Sequence, residues 1–584
     1  MKRFLVLAAV SVGASLSIHP QFLLVAQSRR AAPSKPDAHG AGAFSVVEAS
    51  IPDMRAALEQ GRTTSREIVQ QYLTRIAMYE DRLNAVIAVN PNALKEAEER
   101  DRERAQGKLR GPLHGIPVAL KDNIHTTDMP TTGGALAFAA LVPPYEATLA
   151  RNLRDAGAII LAKTQLTELA NFIASGMPGN YNALTGYGMN PYDPRRDPRE
   201  SIFDGRPVLG TGGSSSGVGT ATNFWAANVG TETSGSILSP ANANMLVGIK
   251  PTVGRVSRHG VIPITADQDT PGPMTKTVAD AAIMLGAMEG ASPDSNDPAT
   301  KTCTPAPGRD YTKFLNAAGL QGARIGIPRA FFYDRLTPAG EKEPRGGLND
   351  AQRKAMEEAV AVLKQQGAVI VDPVEIPSIV AKDAANNFLT WGMCGGLENR
   401  KGMDEECSVS FKYGMKRDFN RWLASLGDKA PVKTLTELRQ WNVAHQRAGA
   451  IKYGQANLDV SDEMNLQADR ERYDRDREKD IRLGGAQGID AALKAHKLDA
   501  LLFPGVSGAA IAAKPGYPTV TVPFAMVPNA PVGGGPAFPE GFDPKPAPYG
   551  VSFTGTACSE SKLIELAYAF EQATKKRVPP PQFP

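Results

Sequence analysis

An α/β layered fold is predicted by three features of the sequence. Short apolar runs of strand character recur along the chain, helical periodicities separate them, and after the first 28 residues no run approaches the length of a membrane span. The 584 residues are 42% hydrophobic and 22% charged, an ordinary globular composition. The net charge is only +4, and the basic runs at Arg195-Arg196 and Lys575-Lys576-Arg577 lack interleaved aromatics, so no nucleic-acid partner is expected.

The first residues read as an export signal. Lys2 and Arg3 precede an apolar stretch over 4–18 and again over 22–25, and Ala26, Gln27 and Ser28 supply small residues for cleavage. His19 and Pro20 interrupt the stretch, which argues against a permanent anchor. The expectation is a signal peptide over 1–28, a secreted or periplasmic protein, and no stable membrane insertion after cleavage. Residues 29–44, rich in Ala, Pro, Gly and Ser, predict a flexible leader.

From there the elements follow in order. Ile51, Met54, Ala57 and Leu58 recur at helical spacing, and Thr64 with Ser65 caps a helix through Ile68, Tyr72, Leu73 and Ile76. Pro91 suits the first turn of a charged helix over 92–105. The run 115–120 predicts a strand ending on Lys121; 158–162 predicts another, followed by a helix over 167–174. A surface excursion over about 290–350 precedes a helix over 350–365, with strands at 325–327 and 369–371 around it. A charged helical region runs from 435 to about 483, its end over 469–482 read as a solvated face. Residues 498–504 and 519–523 predict two late core strands, 527–548 a Gly/Pro loop, 562–573 a closing helix, and the Pro-rich tail a loose end.

Cys303, Cys394, Cys407 and Cys558 form no metal or redox spacing. In an oxidising compartment Cys394 and Cys407 are candidates to pair; free, buried thiols are the plainer expectation. The seven histidines show no metal-ligand pattern, so no metal and no cofactor are expected. His114 lies near the chemistry discussed next but has no sequence partner.

Two Gly/Ser segments stand out: GTGGSSSG over 210–217 and GTETSGSILSPA over 230–241. The first is not a P-loop, because Val218 follows Gly217, nor a dinucleotide fingerprint, because Ser215 stands where Gly is needed. Glycines let a backbone approach a substrate and point its amides inward, so the amides of Thr233, Ser234, Gly235 and Ser236 are candidate oxyanion donors. A serine nucleophile needs a base. No Gly-x-Ser-x-Gly elbow with Asp and His in order is present. Lys121 offers an alternative, because burial at a strand end disfavours its charged form. An ion pair with Asp122, or a surface position, remains open for it.

GPLHGIPVALKDN over 111–123 resembles the lysine motif of the amidase signature family, and the two Gly/Ser segments resemble its two serine motifs. NPYDP (190–194), GIKPTVG (248–254), DTPGPM (269–274), GYPTVTVP (516–523), YGVSF (549–553) and YAFEQA (568–573) fit as well, so the resemblance covers roughly 46–580. It implies a central mixed β-sheet covered by helices on both faces, a single domain over 45–580 with a variable specificity region at about 290–480, and hydrolysis of a linear amide through an acyl-serine. Ser236 would be the nucleophile. Ser214, after a cis Gly213–Ser214 peptide, would shuttle the proton, Lys121 would be the neutral base, and Ser215 would support the lysine. The implied substrate is a small-molecule or peptide amide.

Three departures from the family pattern stand out. The two serines are two residues closer than usual, Leu238 occupies the place of an arginine that pairs with the acid at Glu232, and 195–209 are extra. These extra residues either border the entrance or form a passive surface loop. Two alternatives carry the same motifs. A glutamyl-tRNA amidotransferase-type subunit is opposed by the export signal, and a non-catalytic binding protein on the same fold by the three intact relay positions.

Overall fold

A computed structural model describes residues 44–200, 204–213, 216–529 and 536–584. The export signal, all of the leader except Phe44, and Ser214 and Ser215 lie outside the described residues. Phe44–Pro584 forms one compact unit.

The described residues form thirteen strands: β1 (Val86–Val89), β2 (Pro117–Lys121), β3 (Ile159–Thr164), β4 (Tyr181–Asn182), β5 (Gly186–Tyr187), β6 (Ala227–Glu232), β7 (Val247–Lys250), β8 (Thr270–Thr275), β9 (Arg324–Gly326), β10 (Val369–Val371), β11 (Ala500–Pro504), β12 (Thr519–Val527) and β13 (Ala547–Thr554). Eleven form one sheet in the order β1-β3-β2-β6-β8-β7-β12-β13-β11-β9-β10; β4 and β5 pair separately. The sheet is mixed. β3, β2 and β6 run parallel, as do β11, β9 and β10, and an antiparallel stretch from β6 to β11 joins the two groups. Every residue of β2, β3, β6, β8 and β11 is buried. Since successive side chains point to opposite faces, both faces of these strands are covered.

The helices form where caps and apolar spacing agree. Ser50 and Thr64 each make a capping box, with Asp53 and Glu67, at the starts of Ile51–Glu59 and Ser65–Leu83. Asn349 does the same with Gln352 for Asp350–Gln365. Pro91 lies just before the charged helix Ala93–Ala105 rather than in its first turn.

Four local expectations are corrected. Residues 167–174 do not form a regular helix: Leu169, Ala170 and Asn171 take left-handed φ values of 45°, 55° and 71°, a cost of about 1–2 kcal/mol each for non-glycine residues. The charged region beyond 435 is three helices, Leu435–Ala444, Ala456–Asp462 and Arg470–Ile481, and the first break between them holds Gly449 and Gly454, both with positive φ. The last of these is not simply solvated. Asp480 is buried and accepts from Trp391 Nε1 (2.9 Å), Ser408 Oγ (2.7 Å), Ser410 Oγ (2.9 Å) and Lys514 Nζ (2.6 Å), so an acid stripe faces protein donors instead of water. The tail is docked: Phe583 is buried against Tyr79, and Arg75 donates to the carbonyls of Phe583 and Pro584.

The cysteines are not free thiols. Cys394 pairs with Cys407 (Cα–Cα 5.1 Å) and Cys303 with Cys558 (Cα–Cα 5.5 Å), the second joining residues 255 apart. Closing so long a loop restrains the unfolded chain, so reduction is expected to lower stability by about 2–5 kcal/mol. Non-reducing peptide mapping and thermal melts with and without reductant check this; linear cysteine peptides under non-reducing conditions would count against it.

Candidate active site

β2 and β6 are parallel neighbours, with Leu120 opposite Val229, so their C-terminal ends open at the same edge of the sheet. Lys121 ends β2 and Glu232 ends β6, and the second Gly/Ser turn follows directly. Lys121 is fully buried, and Nζ donates to Thr231 Oγ1 (3.1 Å) and to Thr231 O (3.2 Å). Asn123 Nδ2 donates to the same hydroxyl oxygen at 2.9 Å. Burial lowers the Lys121 pKa to about 8, against the opposing pull of Asp269 and Glu232.

The ion pair with Asp122 does not form. The Asp122 carboxylate instead accepts from Lys163 Nζ (3.1 Å), the Thr132 amide (3.1 Å) and the Thr132 hydroxyl. Strand alternation explains this, since Lys121 and Asp122 project to opposite sides of the chain. A surface position is likewise excluded.

The turn after β6 is set by two features. Gly235 has φ +86°, and a Cβ placed there would meet only Ala509 Cβ, at 3.9 Å; glycine is demanded by the backbone rather than by crowding. Glu232 Oε2 accepts from the amides of Ile237 (2.8 Å) and Leu238 (3.0 Å), capping the helix Leu238–Ala243. The acid whose arginine is missing has therefore taken backbone partners. Thr233 is buried, Ser234 exposed and Ser236 half-buried. Among the described residues none accepts from the amides of Thr233, Ser234, Gly235 or Ser236, which leaves them for a ligand.

The first Gly/Ser segment packs on the second. A Cβ on Gly212 would lie 2.4 Å from the Ser239 carbonyl, and one on Gly217 2.9 Å from Pro240 O. These glycines bracket Ser214 and Ser215 and hold both flanks of that pair against the helix that begins just after Ser236. The Gly213–Ser214 peptide lies outside the described residues.

Several contacts of the site carry no readable signal in the sequence. Asn123, Thr231, Thr233, Asp269 and the left-handed Ala170 line one small cavity of about 10 Å³, room for about one water. Thr231 meets Lys121 across 110 positions through strand pairing alone. His114 has a structural role: Nε2 contacts Arg100 O (2.9 Å) and Nδ1 accepts from the Arg110 amide (3.2 Å). Arg199, Val208 and Leu209 of the extra segment border a cavity of about 890 Å³ that also includes Gly210, Asn242, Phe332 and Ser507. Arg195 and Arg199 from this insertion stack on Phe542 (4.4 Å) and Phe538 (4.6 Å). Among the described residues no His/Cys/Asp/Glu cluster could hold a metal, and no helix is long and apolar enough to cross a membrane.

A large mixed sheet whose strand ends join a buried lysine to a Gly/Ser turn is the architecture of an amide-cleaving enzyme class. The family model described as Amidase matches residues 67–564. A probable amidase of Arabidopsis thaliana is 34% identical over 542 residues, 92% of each chain. The solved peptide amidase of Stenotrophomonas maltophilia is 39% identical with a TM-score of 0.75, covering 91% of this chain and 98% of that one. A glutamyl-tRNA(Gln) amidotransferase subunit from Chloroflexus aurantiacus is 38% identical over 329 residues, 56% of this chain and 60% of its own length. The chain belongs to the amidase family, and it is a hydrolase acting on the carbon–nitrogen bond of linear amides.

Proposed function

We propose that the substrate is a peptide amide, cleaved by Ser236 with Lys121 as base and Ser214 as proton shuttle, in an exported enzyme. The observation that carries the relay is the fully buried Lys121 at the edge where the turn bearing Ser236 begins. A lysine that sheds its proton near pH 8 can accept one from a serine, directly or through a second hydroxyl. Ser236 Oγ then attacks the amide carbon, the amides of Ser234, Gly235 and Ser236 hold the oxyanion, and the proton passes to the departing amine. Water reverses the sequence and releases the acid.

The substrate class rests on the extended similarity to a peptide amidase, which spans nearly the whole chain, whereas the match to the Chloroflexus amidotransferase covers little more than half. Export is supported by the two disulfides, which persist in oxidising compartments. The test is release of ammonia, or of arylamine from the aryl acylamides, from a panel of peptide amides, free amino acid amides, aryl acylamides and glutamine, with a serine-directed phosphonate as label. Turnover of peptide amides above the other classes and modification of Ser236 are expected. Activity confined to another class would overturn the substrate, and labelling elsewhere would overturn the nucleophile.

A further inference from the structure

Thr233 is held from two sides by one turn. Its Oγ1 donates to Asp269 Oδ1 at 2.5 Å, and its carbonyl accepts from Gln268 Nε2 at 3.1 Å. The other oxygen of Asp269 accepts from the Ile264 amide at 3.0 Å, and Arg258, itself paired with Asp297, donates to the Asp269 carbonyl at 3.2 Å. The following residue, Thr270, starts β8 and pairs with Glu232 of β6. The turn is therefore fastened to the strand that delivers Ser236, and its clamp acts on the first residue of the oxyanion segment.

We propose that Asp269 is a positioning residue for amide hydrolysis: with Gln268 it clamps Thr233 so that the following amides and Ser236 keep their places, and its charge biases the protonation of Lys121. The inference rests on Lys121 being the base. The charged groups around Lys121 are Asp269 and Glu232; those around Asp269 are Lys121, Arg258 and Asp418. Burial pushes the Asp269 carboxyl up to about 7, with the Thr233 hydrogen bond and Arg258 opposing, so its charge changes in the working range. When ionised, Asp269 favours the protonated lysine; when neutral, it releases that hold.

Asparagine mimics the neutral acid. Its Nδ2 can donate to Thr233 Oγ1 while its Oδ1 accepts from the Ile264 amide, so the clamp survives without the charge. Alanine leaves both partners unpaired and frees the turn, and small misplacement of catalytic groups is costly.

The test is a pair of pH–rate profiles on the full chain, with ammonia release from a peptide amide as readout. Asp269→Asn is expected to keep plateau kcat within about threefold and to move the ascending limb of kcat/KM to lower pH. Asp269→Ala is expected to lower kcat by about 10–100-fold with KM nearly unchanged. A limb in Asp269→Asn that superimposes on wild type, or wild-type kcat in Asp269→Ala, overturns the inference. If Asp269→Ala does not fold, Thr233→Val removes the same hydrogen bond from the other end; the same kcat loss supports the clamp and wild-type kcat overturns it. A fully active Lys121→Ala would instead defeat the assignment of the base. An inactive Lys121→Ala with an unshifted Asp269→Asn limb defeats only the present inference.

Discussion

Ser236→Ala is expected to reduce kcat for amide hydrolysis by about 10⁴–10⁶-fold while leaving fold and stability intact. The size of the loss follows from chemistry: without Oγ no acyl-enzyme forms, and only substrate binding and the oxyanion donors remain to speed attack by water. The preserved fold follows from how the turn is built. Its path depends on the positive φ of Gly235, on Glu232 capping the next helix, and on the Thr233 clamp, none of which uses the Ser236 hydroxyl. Ser236 is half-buried, so the alanine creates no sizeable cavity. Single-turnover ammonia release, a thermal melt and phosphonate labelling check this together. A folded variant retaining more than about 1% of kcat would transfer the nucleophile's role to another residue.

What the sequence made legible divides along physical lines. Helices with a capping box and an apolar stripe, such as Ser65–Leu83 and Asp350–Gln365, announce themselves because the signal is local. So do β2, β3 and β11, whose apolar runs need no partner to be recognised. β8, with Pro271, Gly272 and Pro273, reads as loop, and only its neighbours make it a strand. Its prolines are tolerated because β7 is laddered to it only at Met274 and Thr275. β6, rich in small and polar residues, is a strand for the same non-local reason: β2 lies on one side and β8 on the other. The left-handed turn at Leu169, Ala170 and Asn171 runs against every local preference and is imposed by its surroundings.

The site shows the same division. Composition and spacing pointed to a Gly/Ser oxyanion segment and left the lysine with three possible fates. The family resemblance chose among them, and the fold supplied the reason, because Asp122 is taken by Lys163 and Lys121 is turned toward Thr231. The acid at Glu232 could not be placed from the sequence, since its partners are backbone amides and carry no side-chain signature. Asp269 opens a matched motif and Gln268 immediately precedes it, yet nothing in that motif says which residue they hold.

Replacing Lys121 separates catalysis from stability more sharply than any other change. Lys121→Met is expected to lower kcat by about 10³-fold or more, because a positioned general base contributes on the order of 10²–10⁴ and no described acceptor stands in for it. The same variant is expected to be more stable at neutral pH. Burial holds the folded-state pKa at about 8, below the ordinary lysine value, so the unfolded chain binds the proton more readily. The resulting penalty is absent at pH above the unfolded value, grows as pH falls toward 8, and is fully present below that. Methionine removes it while filling most of the volume, for a gain of about 1–3 kcal/mol after the lost contacts to Thr231 are counted. Activity in the wild type carries the opposite sign of dependence. Below about pH 8 the amine is protonated and cannot accept, so kcat/KM rises with pH through that value and levels above it. Lys121→Arg, which stays protonated throughout, is expected to be inactive at every pH. A Lys121→Met variant with lowered stability would show that the lysine is structural, and a wild-type profile flat from pH 6 to 10 would remove it from the proton relay. Gain of stability with loss of activity is the outcome for a charge buried for its chemistry rather than for the fold.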